Sequence, residues 1–396
     1  MRFGAEIWTL APWPYRPQPL PDELLSSYLI RTAHGLSMRP VTFTNAVWGS
    51  RDLLFGQDVD NYAPIAVIDH LVAGVGLDKA VVAAMTFAPW RDALDIGDQA
   101  TGRKPWILPV SIVSNDRRRP GLQFCPACLA ADPKPYLRRT WRLAFATVCT
   151  THGVELRDRC PHCGHTLQPH RAPSLCACHS CGGDLTVSSC PTSARRIEQQ
   201  KTFERALIDG WTTFSERPVY ASMYFRIVRQ IASLLVNGKR AGKLRETLAL
   251  DFGGDDATFE KPNARQPVEY LGVADRRRLF DLVSRLIENF PERFIDVCAK
   301  ADIWRSHIVK DMDAVPFALD EALRALDRTP YYPTDIEVRA AAEYLRRTKG
   351  IATYRDLKAL CGESRAAIYK YMDYEREQTS PSKRRLKALE ILRAQK

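Results

Sequence analysis

The hydrophobic positions of this chain repeat mostly at helical spacing. Leu24, Leu25, Tyr28 and Leu29 fall at i, i+1, i+4 and i+5, one face of a helix. Pro21 before Asp22, and Glu23 in the first turn, predict a start capped by Asp22 and a run to about His34-Gly35, with Arg31 and Arg39 left for solvent or a partner. Residues 62–90 read as two short helices, with Leu71, Val75, Val82 and Met85 around Gly74-Val75-Gly76 and Asp78 as the second N-cap. Trp141, Leu143 and Phe145 alternate, which predicts a strand. After Ala194 the pattern is helical almost throughout. One stripe carries Phe225, Val228, Ile231, Leu234 and Leu235; another, from Asp275 to Phe290, carries Leu279, Val283 and Leu286 and stops at Pro291. The expected architecture is mostly α: an N-terminal helix-turn-helix-like domain (1–120), a central tandem zinc-knuckle or ribbon module (121–190), a helical domain (191–330) and a C-terminal helix-turn-helix with a basic tail (331–396). Gly253-Gly254-Asp255-Asp256 and Thr329 to Pro333 are the linker candidates.

Two helix pairs could read DNA. In the C-terminal pair, Thr353 to Met372, Leu357 and Cys361 close the first helix, Gly362 turns, and Ile368 and Tyr371 pack the second. Lys358 departs from the small residue usual at the helix crossing. Ser364, Arg365, Tyr369 and Lys370 would face outward, types that reach phosphates and base edges. Lys383, Arg384, Arg385 and Lys387 could add backbone contacts. The bland alternative is an ordinary pair of packed helices. The pair at 65–87 presents Asp78, Lys79, Ala80, Ala83 and Ala84, a small and nearly neutral face that suits a protein at least as well as DNA.

Net charge sharpens the DNA reading. The 396 residues carry 57 Lys and Arg against 46 Asp and Glu, a formal charge of +11. The basic residues gather in Arg117-Arg118-Arg119, Arg138-Arg139, Arg276-Arg277-Arg278, Arg346-Arg347 and the tail from Lys383, a distribution that suits phosphate contact. No run reaches the roughly 18 apolar residues of a membrane helix. The Pro-rich N-terminus lacks the layout of a secretory signal, so the expected location is the cytoplasm.

Nine of the eleven cysteines lie between Cys125 and Cys190. A reducing compartment disfavours disulfides, so C-x-x-C spacings read as metal ligands. Cys125-Pro-Ala-Cys128 is answered by Cys149-Thr-Thr-His152, and Cys160-Pro-His-Cys163 by Cys178-His-Ser-Cys181. Two intervening residues make a tight knuckle whose ligands point at one ion, and two knuckles complete a tetrahedron. Gly164 and Gly182 follow the second and fourth cysteines of the second set, where the backbone must turn beside sulfur. Four protein ligands leave no open position, which predicts two structural Zn²⁺ ions. Cys176 could replace Cys178, and His162, His165 and His179 lie close by. Cys298 and Cys361 sit in helical patterns as buried thiols.

Catalytic motifs are missing from the sequence. No H-x-E precedes a P-C-x-x-C, as a zinc deaminase requires. Gly238-Lys-Arg-Ala-Gly242-Lys243-Leu244 lacks both the spacing and the Ser or Thr of a phosphate-binding loop. Asp255-Asp256 and Asp311-Met312-Asp313 leave an acidic metal cluster as the open catalytic alternative. The expectation is a protein that is not an enzyme.

Three segments together resemble the TniQ/TnsD family, target-site factors of transposons that carry an AAA+ regulator. They are Pro21-Asp-Glu-Leu-Leu-Ser-Ser-Tyr-Leu-Ile-Arg31 with Gly35-Leu36-Ser37; Phe124-Cys125-Pro-Ala-Cys128 followed by Trp141 to Cys149-Thr-Thr-His152-Gly-Val-Glu-Leu156; and Cys160-Pro-His-Cys163-Gly164 with Cys178 to Cys181-Gly182. They span residues 19–185. The resemblance implies a targeting adaptor whose N-terminal region meets an AAA+ transposition regulator of the TnsC or TniB kind. The C-terminal half would meet DNA or a CRISPR effector complex; the approximately 200 residues kept there favour direct DNA contact. A sequence-specific transcription regulator is the alternative. A homodimer is left open.

Overall fold

The structure, a computed structural model, describes residues 12–49, 54–61, 63–97, 104–110, 121–187, 189–252, 267–327, 333–362 and 365–379. Of the expected features, Arg117 to Arg119, the linker at 253–256, Thr329 to Tyr332, Ser364 and the tail with Lys383, Arg384, Arg385 and Lys387 lie outside them.

Packing divides the chain into two compact units, Met1–Leu326 and Asp327–Lys396. In the first, helices α1 (Leu25–Gly35), α2 (Pro40–Trp48), α3 (Ile65–Val75), α4 (Lys79–Ala84) and α5 (Arg91–Leu94) precede the cysteine-rich segment. That segment contributes α6 (Pro126–Ala131) and a short antiparallel hairpin, β1 (Val148–Cys149) with β2 (Val154–Glu155). Then come α7 (Ala194–Asp209), the hairpin β3 (Trp211–Phe214) and β4 (Arg217–Tyr220), and helices α8 (Ala221–Asn237), α9 (Ala241–Phe252), α10 (Val273–Ile287), α11 (Glu292–Lys300), α12 (Arg305–Val309) and α13 (Phe317–Leu323). The chain is mostly helical, as its periodicity predicts.

One hydrophobic core runs through the whole first unit. Its centre is aromatic. Trp106 and Phe145 come from the first half, and Phe203, Phe225 and Phe280 from α7, α8 and α10. Phe145 stacks on Phe225 at 5.3 Å, and Trp106 lies 5.5 Å from Phe145 and 5.6 Å from Phe225. Offset and edge-on packing of this kind favours one fixed arrangement.

The N-terminal motif is a seam rather than a free helix. Leu24 N donates to Leu137 O at 2.9 Å and Arg139 N to Asp22 O at 2.7 Å, stitching the approach to α1 onto the cysteine-rich segment. Two expectations need correction here. Asp22 does not cap the helix: α1 starts after Leu24, Asp22 takes φ +57°, and its carboxylate accepts from Arg139 Nε (3.1 Å) and from Thr140 N and Oγ1 (3.1 and 2.7 Å). Nor is Arg31 free. It is 7% exposed and forms a two-bond pair with buried Glu23 (2.9 and 2.7 Å). A buried ion pair needs every remaining donor satisfied, and Arg31 also reaches Gln18 O at 2.8 Å. Arg39 is exposed, as expected.

The alternation at Trp141, Leu143 and Phe145 does not make a strand. Thr140–Arg142 is a 3-10 turn, and Trp141 to Ala146 are all buried. Alternation signals a strand only when the even positions face water. Here Arg142 is 0% exposed because Asp58 and Asp60 neutralise it inside the core.

Asp78 occupies the N-cap of α4 without a side-chain cap bond. Gly74 has a clearer role: Trp13 N donates to Gly74 O at 2.6 Å, and a Cβ there would overlap the Trp13 indole. Gly74→Ala is therefore expected to lower stability by about 1–3 kcal/mol through overpacking. A urea melt showing no change would place Trp13 elsewhere.

The second unit holds α14 (Asp335–Lys349), α15 (Tyr354–Cys361) and α16 (Arg365–Thr379). Thr334 and Glu337 form a capping box on α14, and the Thr353 hydroxyl accepts from Asp356 N at 3.2 Å on α15. A small core of Ala342, Leu345, Leu357 and Ile368 joins the three helices.

Candidate metal centres

Each expected ligand set converges. Cys125, Cys128, Cys149 and His152 form one group, and Cys160, Cys163, Cys178 and Cys181 another; within each group the ligand atoms all lie within 4.8 Å of one another. In the first, Cys128 Sγ is 3.6 Å from Cys149 Sγ, and His152 Nδ1 lies 3.2, 3.7 and 3.9 Å from the sulfurs of Cys128, Cys149 and Cys125. In the second, the Cys160–Cys181 and Cys163–Cys178 sulfur pairs are 3.8 and 3.7 Å apart. Sulfurs at about 2.3 Å from a tetrahedral ion stand about 3.8 Å from each other. The sets are sized for one ion each.

Backbone geometry explains the knuckles. Gly153, Gly164 and Gly182 each follow the second ligand of a pair with φ of +63°, +71° and +71°, and each N–H donates to the carbonyl of that pair's first cysteine at 2.9–3.0 Å. A Cβ is strained at these angles. The fourth knuckle is built differently: Cys125 is the N-cap of α6, and its sulfur accepts from Cys128 N at 3.3 Å. Amides of His162, Ser180 and Gly183 likewise point at Cys160, Cys178 and Cys181 at 3.4 Å. Such donors favour thiolate, the ligand form.

The nearby alternatives stand apart. Cys176 Sγ turns to Leu129 O at 3.6 Å. His162 Nε2 donates to Asp184 O at 2.9 Å, and His165 packs edge-on against His179. The two centres differ in depth. Cys125, Cys128 and Cys149 are 0–5% exposed and belong to the main core; in the second centre Cys160 and Cys178 are as deeply placed at 4%, but Cys181 is exposed and Cys163 half-buried. Both sets are closed, with four protein ligands; the donor types and spacings fit zinc.

Several basic runs expected to meet phosphate are buried or paired with carboxylates, although Arg278, Arg346 and Arg347 are exposed. Arg276 is fully buried, donating to Leu271 O, Ala144 O and Gln123 Oε1 at 3.1, 2.5 and 2.8 Å, and burial pushes its guanidinium down to about 10. Arg277 pairs with Glu155 at 2.8 Å, Arg138 with Asp132 at 3.0 Å, and Arg139 with Asp22. Arg346 engages Tyr371 and Glu375, and Arg347 engages Glu343. Sequence shows charge but not the partner that cancels it. On α16, Tyr369 is half exposed and stacks on Tyr354 at 5.0 Å, and Lys370 is exposed with a 3.6 Å pair to Asp335. Arg365 begins the helix.

The sequence reading missed the polar cluster that binds the N-terminal segment to this region. Ser26 donates through N and Oγ to Asp60 at 2.7 and 2.8 Å. Arg142 reaches Asp60 at 3.0 Å, Asp58 at 2.7 and 3.1 Å, and Leu108 O at 2.7 Å. Burial pushes the Asp60 carboxyl up to about 6, against the pull of Arg142. Asp58-x-Asp60 gives no signal in isolation, because its partner lies more than eighty residues on.

The fold and centres define a mostly helical protein with two closed four-ligand clusters, each of which could hold a metal ion, and a second compact unit of three helices. Residues 14–156, a little over a third of the chain, match the family model for TniQ. That segment is similar to the TniQ family, and the match implies a transposition-associated protein. No curated protein matches it. Among the described residues, no helix is long and apolar enough to cross a membrane.

Proposed function

We propose that this chain is a non-catalytic adaptor of DNA transposition that links a target site to the AAA+ regulator recruiting the transposase. The TniQ segment at 14–156 carries this reading. Two Zn²⁺ ions, one within that segment on Cys125, Cys128, Cys149 and His152 and one just after it on Cys160, Cys163, Cys178 and Cys181, hold the local shape and take no part in chemistry. The regulator meets the first unit. The second unit meets DNA, with Arg365, Tyr369 and Lys370 on α16 and Lys383, Arg384 and Arg385 beyond it. The exposed Tyr369 and Lys370 at a helix-turn-helix support that assignment.

Retention of an AAA+ regulator from the same transposon by the zinc-loaded chain is the test of the adaptor role; without it, a transcription regulator is the better reading. Direct DNA contact is tested separately, by binding to target and random duplexes across a salt series. Lys370→Ala should weaken every duplex alike and lower the salt slope by about 1, while Arg365→Ala should relax sequence preference. Weak binding that disappears with salt for all duplexes would mean that another molecule, such as a CRISPR effector complex, chooses the site.

A further inference from the structure

A cleft of ≈ 390 Å³ opens beside the first metal centre, between the N-terminal seam and α7. Its walls include Cys128 and Cys149 of that centre, the stacked Arg138 and Arg139, and Glu204, Leu207 and Ile208 of α7. The volume falls within the usual range of ligand pockets.

The charges facing this cleft are unequal. Both arginines are already neutralised and held: Arg138 makes two bonds to Asp132 (3.1 and 3.0 Å) and lies over Tyr136 at 4.3 Å, and Arg139 pairs with Asp22 and lies over Trp90 at 4.3 Å. Glu204 is different. It accepts only from neutral groups, Gln200 Nε2 at 3.0 Å and Thr150 Oγ1 at 3.2 Å, and among the described residues no cation pairs with it. The adjoining centre adds to the imbalance, since three thiolates and one imidazole around a divalent ion leave about one net negative charge. A half-buried carboxylate without a counter-ion favours a cation. Beside it Ile208 is 76% exposed on the rim, an apolar contact with nothing on it.

We propose that this cleft receives a basic side chain, arginine or lysine, of a protein partner, with Glu204 as its counter-ion and Ile208 packing the apolar residue next to it. The inference deepens the adaptor reading and rests on it for the existence of a protein partner. Phosphate is disfavoured because the arginines that would bind it are already occupied.

The test uses the full zinc-loaded chain with 5-fluorotryptophan, following Trp90 and Trp141, which line the cleft. The probes are acetyl-Leu-Arg-amide, its neutral citrulline analogue and inorganic phosphate. The arginine peptide should shift both resonances saturably, and the citrulline peptide should not. Glu204→Gln keeps the shape and can still accept from Gln200 Nε2 while its amide donates to the Thr150 hydroxyl, so zinc content and melting should hold while affinity falls at least about tenfold. Equal binding of the citrulline peptide, insensitivity to Glu204→Gln, a response to phosphate instead, or no binding at millimolar peptide would each overturn the proposal. If the regulator is still captured while the peptide fails, the cleft is wrong and the adaptor reading stands; peptide binding without any regulator capture is the reverse.

Discussion

Cys149→Ser should cost the protein one metal ion and the fold of its first unit, whereas Cys181→Ser should cost one ion and little else. Both remove a single sulfur. The difference is depth. Cys149 is 5% exposed in the main core, and its centre lies in the segment stitched to the N-terminal motif at Leu24–Leu137 and Asp22–Arg139. Structural zinc sites contribute on the order of 10 kcal/mol to folding, as much as a typical domain's whole net stability. Without the first ion, three buried sulfurs and an imidazole lose their common partner in the interior, and the surrounding aromatic core loses its support. The second centre ends at the exposed Cys181, so its loss should loosen residues 158–187 alone. Metal analysis should fall from two ions to one in each variant. Near-ultraviolet circular dichroism should collapse for Cys149→Ser only, and limited proteolysis should cut Cys181→Ser within the second knuckle pair. A Cys149→Ser protein that melts like the parent would remove the first centre from any structural role.

Arg142→Ala should destabilise the first unit by about 3–5 kcal/mol, the usual cost of leaving buried charge without its partner. The arginine is fully buried, holds both Asp58 and Asp60, and donates to Leu108 O. Its loss strands two carboxylates and a carbonyl. The deficit should also depend on pH. Burial already raises Asp60 from its ordinary 3.8 to about 6. The folded protein then binds that proton more tightly than the unfolded chain, so stability falls as pH rises from near 4 through the folded value. Removing the guanidinium raises that value further, so the deficit should be larger at pH 8 than at pH 5. Arg142→Met combined with Asp58→Asn and Asp60→Asn should recover part of the loss, because uncharged groups do not need a counter-ion. A deficit below about 1 kcal/mol in guanidinium melts at pH 8 would show that water, not Arg142, serves these carboxylates.

Local signals were enough wherever one stretch of chain contains both halves of the physics. Apolar residues at helical spacing placed α8 and α10, because a helix needs only its own stripe and a stop such as Pro291. The turn at Gly362 between α15 and α16 was equally local. The two ligand sets were legible because a C-x-x-C or C-x-x-H knuckle is a local turn and tetrahedral closure needs only two such turns. Tertiary structure decided the rest. It put Arg142 and Arg276 inside, where the sequence shows charges that belong at a surface. It gave Arg31 to Glu23 and Asp22 to Thr140, and it turned an apparent strand at 141–145 into a wholly buried segment. In each of these cases the partner is distant in sequence or lies on another element, and a charge's preferred environment is set by what neutralises it. Periodicity records which residues avoid water; only the packed chain shows which charges have been matched.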